Sequence, residues 1–265
     1  MDILMTQDGA IRTLTLNRPE RRNPITDLVM VDALVSALQD ADEDPSVRVV
    51  ILTGAGPAFC SGGDLRQMRP GPDSLIGDSP DVTRDNYRNG IQRIPLAMER
   101  LATPVVAAVN GAAIGAGCDL TCMCDIRIAS TQARFAESFV KLGLIPGDGG
   151  AWLLPRIIGF SRATEMALTG EVIDADTALA WGLVSRVVAP EDLLPTCHAV
   201  ALKIAANPPA AVGMARRMLR QACDQSLAAA LDTAASQQGL AHQTQDHREA
   251  VAAFLEKREP RFTGE

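Results

Sequence analysis

The fold is decided by residues 104–125, which read PVVAAVNGAAIGAGCDLTCMCD. Residues 104–109 are apolar throughout, as expected of a short strand that is buried on both faces of a sheet. The glycine-rich residues 111–117 follow and lead into a helix. A buried strand, a glycine turn and a helix in this order predict one unit of a layered α/β protein with a parallel sheet.

Other segments of the N-terminal part repeat this pattern. Residues 11–16 alternate as a strand does, and Thr26 is expected to cap an amphipathic helix that runs to about Asp42. Residues 47–52 form an apolar run with a single arginine, which predicts a second buried strand. Residues 125–129 predict a further strand, so strands and helices alternate here.

Two regions depart from this alternation. Residues 69–86 hold three prolines and few large apolar residues, which predicts a mobile loop of the kind that often forms a lid, before a helix over residues 87–101. Beyond Pro155 the pattern is almost wholly helical, with candidate helices at residues 161–169, 174–181, 191–206, 209–222, 225–240 and 244–256. We therefore expect an α/β core followed by a helical C-terminal part.

The composition bounds the size of the core and the class of partner. A chain of 265 residues with 47% hydrophobic and 22% charged residues can bury one substantial core. Its net charge of −7 disfavours the extended basic surface that nucleic-acid binding needs. The N-terminus carries Asp2 and Asp8 and has no long apolar run, so we expect no signal peptide, no membrane span and a soluble, cytoplasmic protein.

The six cysteines form no disulfide framework of the kind that small secreted domains need. Cys118, Cys122 and Cys124 cluster, but no histidine stands near them in the sequence and their spacing fits no zinc pattern. We expect reduced, buried structural thiols and no metal site.

Two glycine-bearing loops, residues 58–65 and 110–120, each follow a predicted buried strand. Loops after neighbouring parallel strands converge at the carboxyl edge of the sheet, where ligands usually bind. Two backbone N–H groups aimed there at one carbonyl oxygen form an oxyanion hole. The alternative is that each loop is a tight turn without a ligand. A dinucleotide fingerprint is excluded, because Leu120 stands where the third glycine is needed.

A further signal comes from five short blocks: LNRP with a following NP (residues 16–24), AFCSGGDL (58–65), the stretch that ends in MCD (110–125), GLIPG (143–147) and FLEKR (254–258). In this order and spacing they resemble the crotonase superfamily, the enoyl-CoA hydratase/isomerase family, over nearly the whole chain. The resemblance implies a spiral of repeated ββα turns over residues 1–200 and a helical trimerisation region over residues 201–265, assembled as trimers or dimers of trimers.

The resemblance also implies a coenzyme A thioester as substrate, with no cofactor besides. The two oxyanion N–H groups fall on Gly63 and Ala116. Coenzyme A and the acyl group would contact nine residues: Arg22, Ala58, Ser61, Gly62, Asp64, Leu65, Gly115, Phe139 and Lys257. Among them, Arg22 and Lys257 are the candidates for the coenzyme A phosphates, with plain solvated charges as the alternative.

The chain departs from the family pattern at the acid–base residues. The hydratases that it resembles use two glutamates about one water, and both carboxylates must flank the double bond. The first position falls on Asp119, whose side chain is one methylene shorter. The second falls on Phe139, which cannot carry a proton.

Two further carboxylates stand close enough in the sequence to replace the missing glutamate. Asp148 follows Gly147, the position at which dienoyl-CoA isomerases and a dehalogenase of the family place a working aspartate, although an N-cap role for Asp148 is the alternative. Glu137 precedes Phe139 by two residues, and its alternative is a surface or intersubunit ion pair.

These residues predict an acyl-CoA lyase, first of all an enoyl-CoA hydratase that works through an enolate of the thioester. A double-bond isomerase with a single carboxylate base is the alternative within the enzymes, and a non-catalytic acyl-CoA-binding homologue is the alternative outside them. His198, His242 and His247 are expected in C-terminal helices and receive no role.

Overall fold

The computed structural model describes residues 1–68 and 74–265. Its main sheet has six strands: β1 (Ile3–Asp8), β2 (Ile11–Leu16), β3 (Val49–Gly54), β5 (Val105–Val109), β7 (Ile126–Ser130) and β10 (Arg186–Val188). Their spatial order is β1-β2-β3-β5-β7-β10, and every neighbouring pair except the β1–β2 hairpin is parallel. The predicted parallel sheet is confirmed.

A second sheet of four short strands carries the glycine loops. Its strands are β4 (Ala58–Cys60), β6 (Ala112–Ile114), β8 (Arg134–Ala136) and β9 (Ile173–Asp174), in that spatial order. Each of β4, β6 and β8 follows a strand of the main sheet within a few residues, so the chain crosses from one sheet to the other three times. This is the repeated ββα plan that was expected.

Eleven α-helices are found in the described ranges: α1 (Leu28–Glu43), α2 (Pro80–Asn89), α3 (Arg93–Arg100), α4 (Ala116–Met123), α5 (Gly150–Ile158), α6 (Phe160–Thr169), α7 (Ala175–Trp181), α8 (Leu193–Ala205), α9 (Pro209–Gln221), α10 (Leu227–Ala241) and α11 (Gln245–Glu256). Within those same ranges, none is both long and apolar enough to cross a membrane.

The main sheet is covered on both faces, which explains why its strands read as continuous apolar runs. On one face, Ile51 and Val106 pack in a core with Cys197 and Ala201 of α8. On the other face, the alternate strand residues join a larger core with buried side chains of α1, α3 and α4. Helix α4 lies within this larger core, and all of its residues are buried.

Some sequence predictions about where elements begin and end were wrong. Helix α1 is capped by Asp27, whose carboxylate accepts from the Met30 N–H at 3.1 Å, whereas the Thr26 hydroxyl accepts from the Asp64 N–H. Both residue types can cap a helix, and the tertiary contact of Thr26 decides between them. Short strands β9 and β10 also interrupt the C-terminal region that was predicted as almost wholly helical.

The segment predicted as a loop over residues 69–86 contains the start of a helix. Residues 69–73 lie outside the described residues, but α2 begins at Pro80 with Ser79 as its N-cap. Proline suits the first position of a helix, because its missing N–H would have no partner there. The helix predicted over residues 87–101 is therefore two helices, α2 and α3, which meet near Gly90.

Asn23 ties the loop after β2 to the start of the second sheet. Its side chain is fully buried, and its amide donates at 2.9 Å to the carbonyl oxygens of both Ala55 and Ala58. Its amide oxygen accepts from the Arg18 N–H at 2.8 Å. A hydrocarbon side chain at this position would leave one buried and two partly buried backbone groups without these partners.

We expect Asn23→Ala to lower the free energy of unfolding by about 3 kcal/mol, because buried polar groups that lose their partner cost about 1–3 kcal/mol each. Urea denaturation measures the change. The matched control is Asn17→Ala, which removes one exposed hydrogen bond to the Met1 carbonyl and should cost about 0.5 kcal/mol. Equal losses for the two variants would contradict the role assigned to Asn23.

Candidate active site

The two glycine loops lie in direct contact. Gly62 has a left-handed φ of +84°, and a Cβ atom on it would stand 2.4 Å from the Ile114 carbonyl oxygen and 3.1 Å from the Ala116 nitrogen. A side chain at residue 62 would therefore collide with the backbone that precedes α4. Because residue 62 is a glycine, the backbone of the first loop can approach Ala116 closely. Gly63 is the next residue of this loop, so the approach also brings Gly63 to this place.

Two backbone donors at this contact have no acceptor among the described residues. Ala116 is the first residue of α4, after Gly115 with a φ of +55° as the N-cap. The Gly63 and Ala116 N–H groups donate no hydrogen bond to any residue that the structure describes. Free N–H groups on adjacent loops, beside the positive end of a helix, are what an oxyanion hole consists of. The arrangement supports the roles predicted for both residues, which stay predictions.

Phe139 forms an apolar wall beside these donors. Its ring atoms stand 3.6–3.9 Å from the place that a Cβ on Gly115 would occupy, and the side chain is 9% exposed. It belongs to the short 3-10 turn Ser138–Leu142 that follows β8. The position at which the family resemblance predicts a second carboxylate thus holds a phenyl ring against the Gly115 turn.

Asp119 is the acid nearest to Ala116 along α4. It lies in the first turn of this helix, is fully buried, and has no hydrogen-bond partner for either carboxylate oxygen among the described residues. Burial, followed by the neighbouring carboxylate of Glu137, raises its pKa well above the ordinary range. Burial therefore favours the neutral form of this carboxyl group over its ionised form.

Glu137 lies against Asp119 and is 1% exposed. Burial raises the pKa of Glu137 to about 8. Hydrogen bonds with Asp119 and Cys118 lower this pKa, but the effect of burial is larger. In the described chain it forms no ion pair, and the surface ion pair considered from the sequence is therefore wrong. Glu137 follows β8, which pairs with β6 in the second sheet, and Cys118 and Cys122 of α4 face it.

Asp148 is the third buried acid, with 4% exposure and no partner for its Oδ1 in the described part of the chain. Helix α5 has Gly149 as its N-cap and no side-chain capping bond, so the N-cap role considered for Asp148 is wrong. Burial raises its pKa to about 6. With this pKa, Asp148 is mostly ionised near pH 7.

Asp148 also lines a cavity of about 760 Å³ between α3, α5 and the end of α9. Gln92 holds the loop before Asp148, since its amide donates to the Gly147 carbonyl oxygen at 2.9 Å. Trp152 and Leu153 of α5 form part of the apolar wall. These cavity residues carry no sequence signal of their own, because their meeting depends on how three distant helices pack.

The predicted coenzyme A contacts are placed in two regions. Arg22 lies beside the first glycine loop, where its carbonyl oxygen accepts from the Ser61 N–H at 2.8 Å, whereas Lys257 lies at the end of α11.

The other predicted contacts in the first glycine loop differ in exposure and partners. Asp64 forms ion pairs with Arg21 and Arg66. Leu65 is 56% exposed, but Ala58 is buried and its carbonyl oxygen is bonded to Asn23, so Ala58 contributes to the shape of the loop.

The cysteines are all unpaired, and five of the six are buried, as predicted. Within the described ranges no group of three or more potential ligands is arranged to hold a metal ion.

Gly150, which sequence analysis missed, covers Asp119. A Cβ atom on Gly150 would stand 1.9 Å from the Asp119 Oδ1 and 2.7 Å from its Cγ. In the sequence, Gly150 is only the second of two adjacent glycines at the start of α5. This pattern does not predict a contact with Asp119. The start of α5 can lie on the carboxyl group because residue 150 has no side chain.

We expect Gly150→Ala to lower the melting temperature by several degrees and to reduce activity, because the added methyl group displaces the Asp119 carboxyl. The matched control is Gly239→Ala in α10, where a Cβ would meet nothing within 4 Å. This control should raise the stability by about 1 kcal/mol, since alanine is the better helix former. Thermal unfolding of both variants checks the expectation, and an unchanged melting temperature for Gly150→Ala would contradict it.

Several known proteins resemble this chain over nearly its whole length. A 1,2-epoxyphenylacetyl-CoA isomerase of Escherichia coli (strain K12) is 40% identical over 264 residues, which cover 99% of this chain and 98% of that protein. A crotonyl-CoA hydratase of Syntrophomonas wolfei is 34% identical, over 98% of this chain and 97% of its own. The crystal structure of an enoyl-CoA hydratase from Bacillus anthracis superposes with a TM-score of 0.92 at 34% identity and covers 100% of both chains.

The profile of the enoyl-CoA hydratase/isomerase family matches residues 6–265. The crystal structure above extends the likeness to the whole fold, including the helical C-terminal region. The chain therefore belongs to the enoyl-CoA hydratase/isomerase family and has the crotonase fold.

Proposed function

We propose that this chain is an acyl-CoA isomerase that moves a carbon–carbon double bond through an enolate of the thioester. The observation that carries the proposal is the unequal placement of the three buried acids. Asp148 lines the cavity, whereas Asp119 is fully buried and Glu137 is 1% exposed. A single accessible carboxylate suits isomerisation better than the hydration that the sequence predicted first.

The backbone donors would hold the thioester. With the carbonyl oxygen between the N–H groups of Gly63 and Ala116, negative charge that develops on this oxygen is stabilised, and one such donor is worth roughly 3 kcal/mol of the barrier. The proton on carbon 2 becomes acidic because its removal gives the enolate. The apolar ring of Phe139 keeps water from this side of the donors.

Asp148 would move the proton. As a carboxylate it removes a proton from carbon 2 of a 3-enoyl-CoA, and it then returns the same proton to carbon 4 as the double bond moves into conjugation. No water and no second acid is consumed. A pKa of about 6 leaves Asp148 ionised at neutral pH but makes it a stronger base than an ordinary aspartate.

The cavity beside Asp148 would take the acyl group. A volume of about 760 Å³ is within the range of small-molecule sites and is larger than a four-carbon acyl chain needs. From the comparisons, the name of the E. coli relative, a 1,2-epoxyphenylacetyl-CoA isomerase, supports an isomerase that acts on a coenzyme A thioester.

Hydration is the second candidate, and Asp119 is the observation that favours it. This residue stands at the family position of the first glutamate, and the S. wolfei relative is named as a crotonyl-CoA hydratase. A hydratase would need Asp119 and Asp148 to act on one water, with Asp148 as the base and the neutral Asp119 as the acid.

The direct test offers a short 3-enoyl-CoA and a 2-enoyl-CoA to the purified protein and follows the ultraviolet absorbance of the conjugated thioester. We expect the absorbance to rise with the 3-enoyl-CoA, because isomerisation creates conjugation. A fall with the 2-enoyl-CoA and no change with the 3-enoyl-CoA would replace the proposal by hydration. No change with either substrate would favour the non-catalytic homologue.

Asp148→Asn should reduce kcat for the 3-enoyl-CoA about a thousandfold, since a general base typically contributes a factor of 10²–10⁴. In the unchanged enzyme, kcat/KM should rise with pH through about 6, because the base must be ionised. The matched control is Asp232→Asn on the exposed face of α10, which should leave both quantities unchanged. A fully active Asp148→Asn variant would exclude Asp148 as the base.

Asp148 should also make the stability depend on pH. Because its folded-state pKa is raised from 3.8 to about 6, ionisation opposes folding, and the stability falls as the pH rises through this interval. Well above pH 6 the cost is roughly 3 kcal/mol. Asp148→Asn should therefore melt at a higher temperature than the unchanged protein at pH 8 and at a similar temperature at pH 4. Equal pH dependence of the two proteins would contradict this.

A further inference from the structure

The proposed base stands on a loop that does not fix its own position. Asp148 lies between Gly147 and Gly149, and Gly149 has a φ of +114°, a conformation that glycine adopts without strain. Among the described residues, the backbone of residues 145–148 has a single hydrogen bond, and Gln92 donates it. Groups outside the loop must therefore decide where the Asp148 carboxylate points.

Gln92 supplies this hydrogen bond from the junction of α2 and α3. Its side-chain amide donates to the Gly147 carbonyl oxygen at 2.9 Å, in partly buried surroundings. Its backbone N–H donates to the Tyr87 carbonyl oxygen at 3.1 Å, and Gln92 is also the N-cap residue of α3. The amide is therefore held by two helices, and it reaches the residue directly before Asp148.

Two apolar contacts from the same segment flank Asp148. A Cβ atom on Gly147 would stand 3.7 Å from Cε1 and 3.9 Å from Cδ1 of the Tyr87 ring, and one on Gly149 would stand 3.5 Å from the Pro95 Cβ. These are ordinary van der Waals distances, so the gap between the loop and this segment is no wider than a methyl group. Residues 87–95 thus lie beside the loop both before and after the carboxylate.

We infer that Gln92 is a positioning residue for Asp148, and that residues 87–95 form a clamp that aims its carboxylate into the cavity. The clamp consists of the Gln92 amide, the Tyr87 ring and Pro95 around residues 147–149. Removal of a proton from carbon 2 needs a close and aligned base, and a misplacement of about 1 Å can cost about a hundredfold in rate. The role rests on the proposed function, because it presupposes that Asp148 is the base.

A neutral amide suits this place. Gln92 lines the same cavity as Asp148. A cationic donor here would lower the pKa of the base, and a second carboxylate would raise it. The glutamine amide donates a hydrogen bond without adding charge, so it orients Asp148 and leaves its ionisation to burial.

Tyr87 reports on the clamp, because it is the single tyrosine of the chain. With ¹³C at the tyrosine Cζ, the full-length protein without ligand gives one NMR signal, which needs no assignment. We expect this signal to move as Asp148 ionises near pH 6, and to lose this movement in Asp148→Asn. This variant separates Asp148 from the other titratable groups that face it in the described part of the chain, which are Cys60, Asp119 and Glu137.

Gln92→Met keeps the length of the side chain but cannot donate. We expect the loop to leave the Tyr87 ring in this variant, so the movement of the signal should fall to less than about half. Its midpoint should also shift below pH 6, because the released carboxylate is less buried. Gln92→Asn, whose amide is one methylene too short to reach Gly147, should give the same result if Gln92→Met does not fold. The matched control, Gln238→Met at an exposed site on α10, should leave the titration unchanged.

Kinetics separate positioning from a merely structural role. Gln92→Met should lower kcat for the 3-enoyl-CoA about tenfold or more, keep KM within about threefold, and move the acidic limb of the pH profile below 6. A Tyr87 signal that ignores Asp148 in the unchanged protein, or that responds equally in the Gln92 variants, would overturn the inference. The expected NMR result without turnover of 3-enoyl-CoA would keep the clamp and reject the isomerase.

Discussion

Close approach of backbone to backbone is the constraint on which the site depends. A Cβ atom on Gly54 or Gly111 would stand 2.4 Å or 2.1 Å from a carbonyl oxygen at the entry to β4, and one on Gly117 would stand 2.1 Å from the Cys60 carbonyl oxygen. Backbone atoms cannot move aside as a flexible side chain can. The glycines therefore let both sheets and α4 meet, and this meeting puts Gly63 beside Ala116.

The electrostatics of the site follow from how completely this packing excludes water. Three acids are buried in one region, and within the described ranges no arginine or lysine forms an ion pair with any of them. Burial destabilises the ionised form of each acid. The size of this effect depends on how deeply the acid is buried and on the groups beside it. Such differences separate the protonation states of chemically similar groups, which acid–base catalysis requires. The same burial makes the site a local source of instability.

The parts of the fold that local pattern determines were predicted from the sequence. Residues 11–16 and 105–109 form strands as expected, because burial on one or two faces of a strand determines which of its residues are apolar. The surroundings of Glu137 and Gly150 were not predictable in this way. Glu137 faces side chains of α4, and Gly150 covers Asp119 from a distant part of the chain, so neither contact leaves a periodic signal. The choice of Asp27 over Thr26 as helix cap also depended on a distant partner.

The contact between Gly150 and Asp119 restricts how this protein can evolve. Residue 150 has room for no side chain while residue 119 is an aspartate that points at it. A longer acid at residue 119 would have to take another direction or push α5 outward. Substitutions at the two positions are therefore coupled: a lineage could gain a side chain at residue 150 only after residue 119 had become smaller or had turned away.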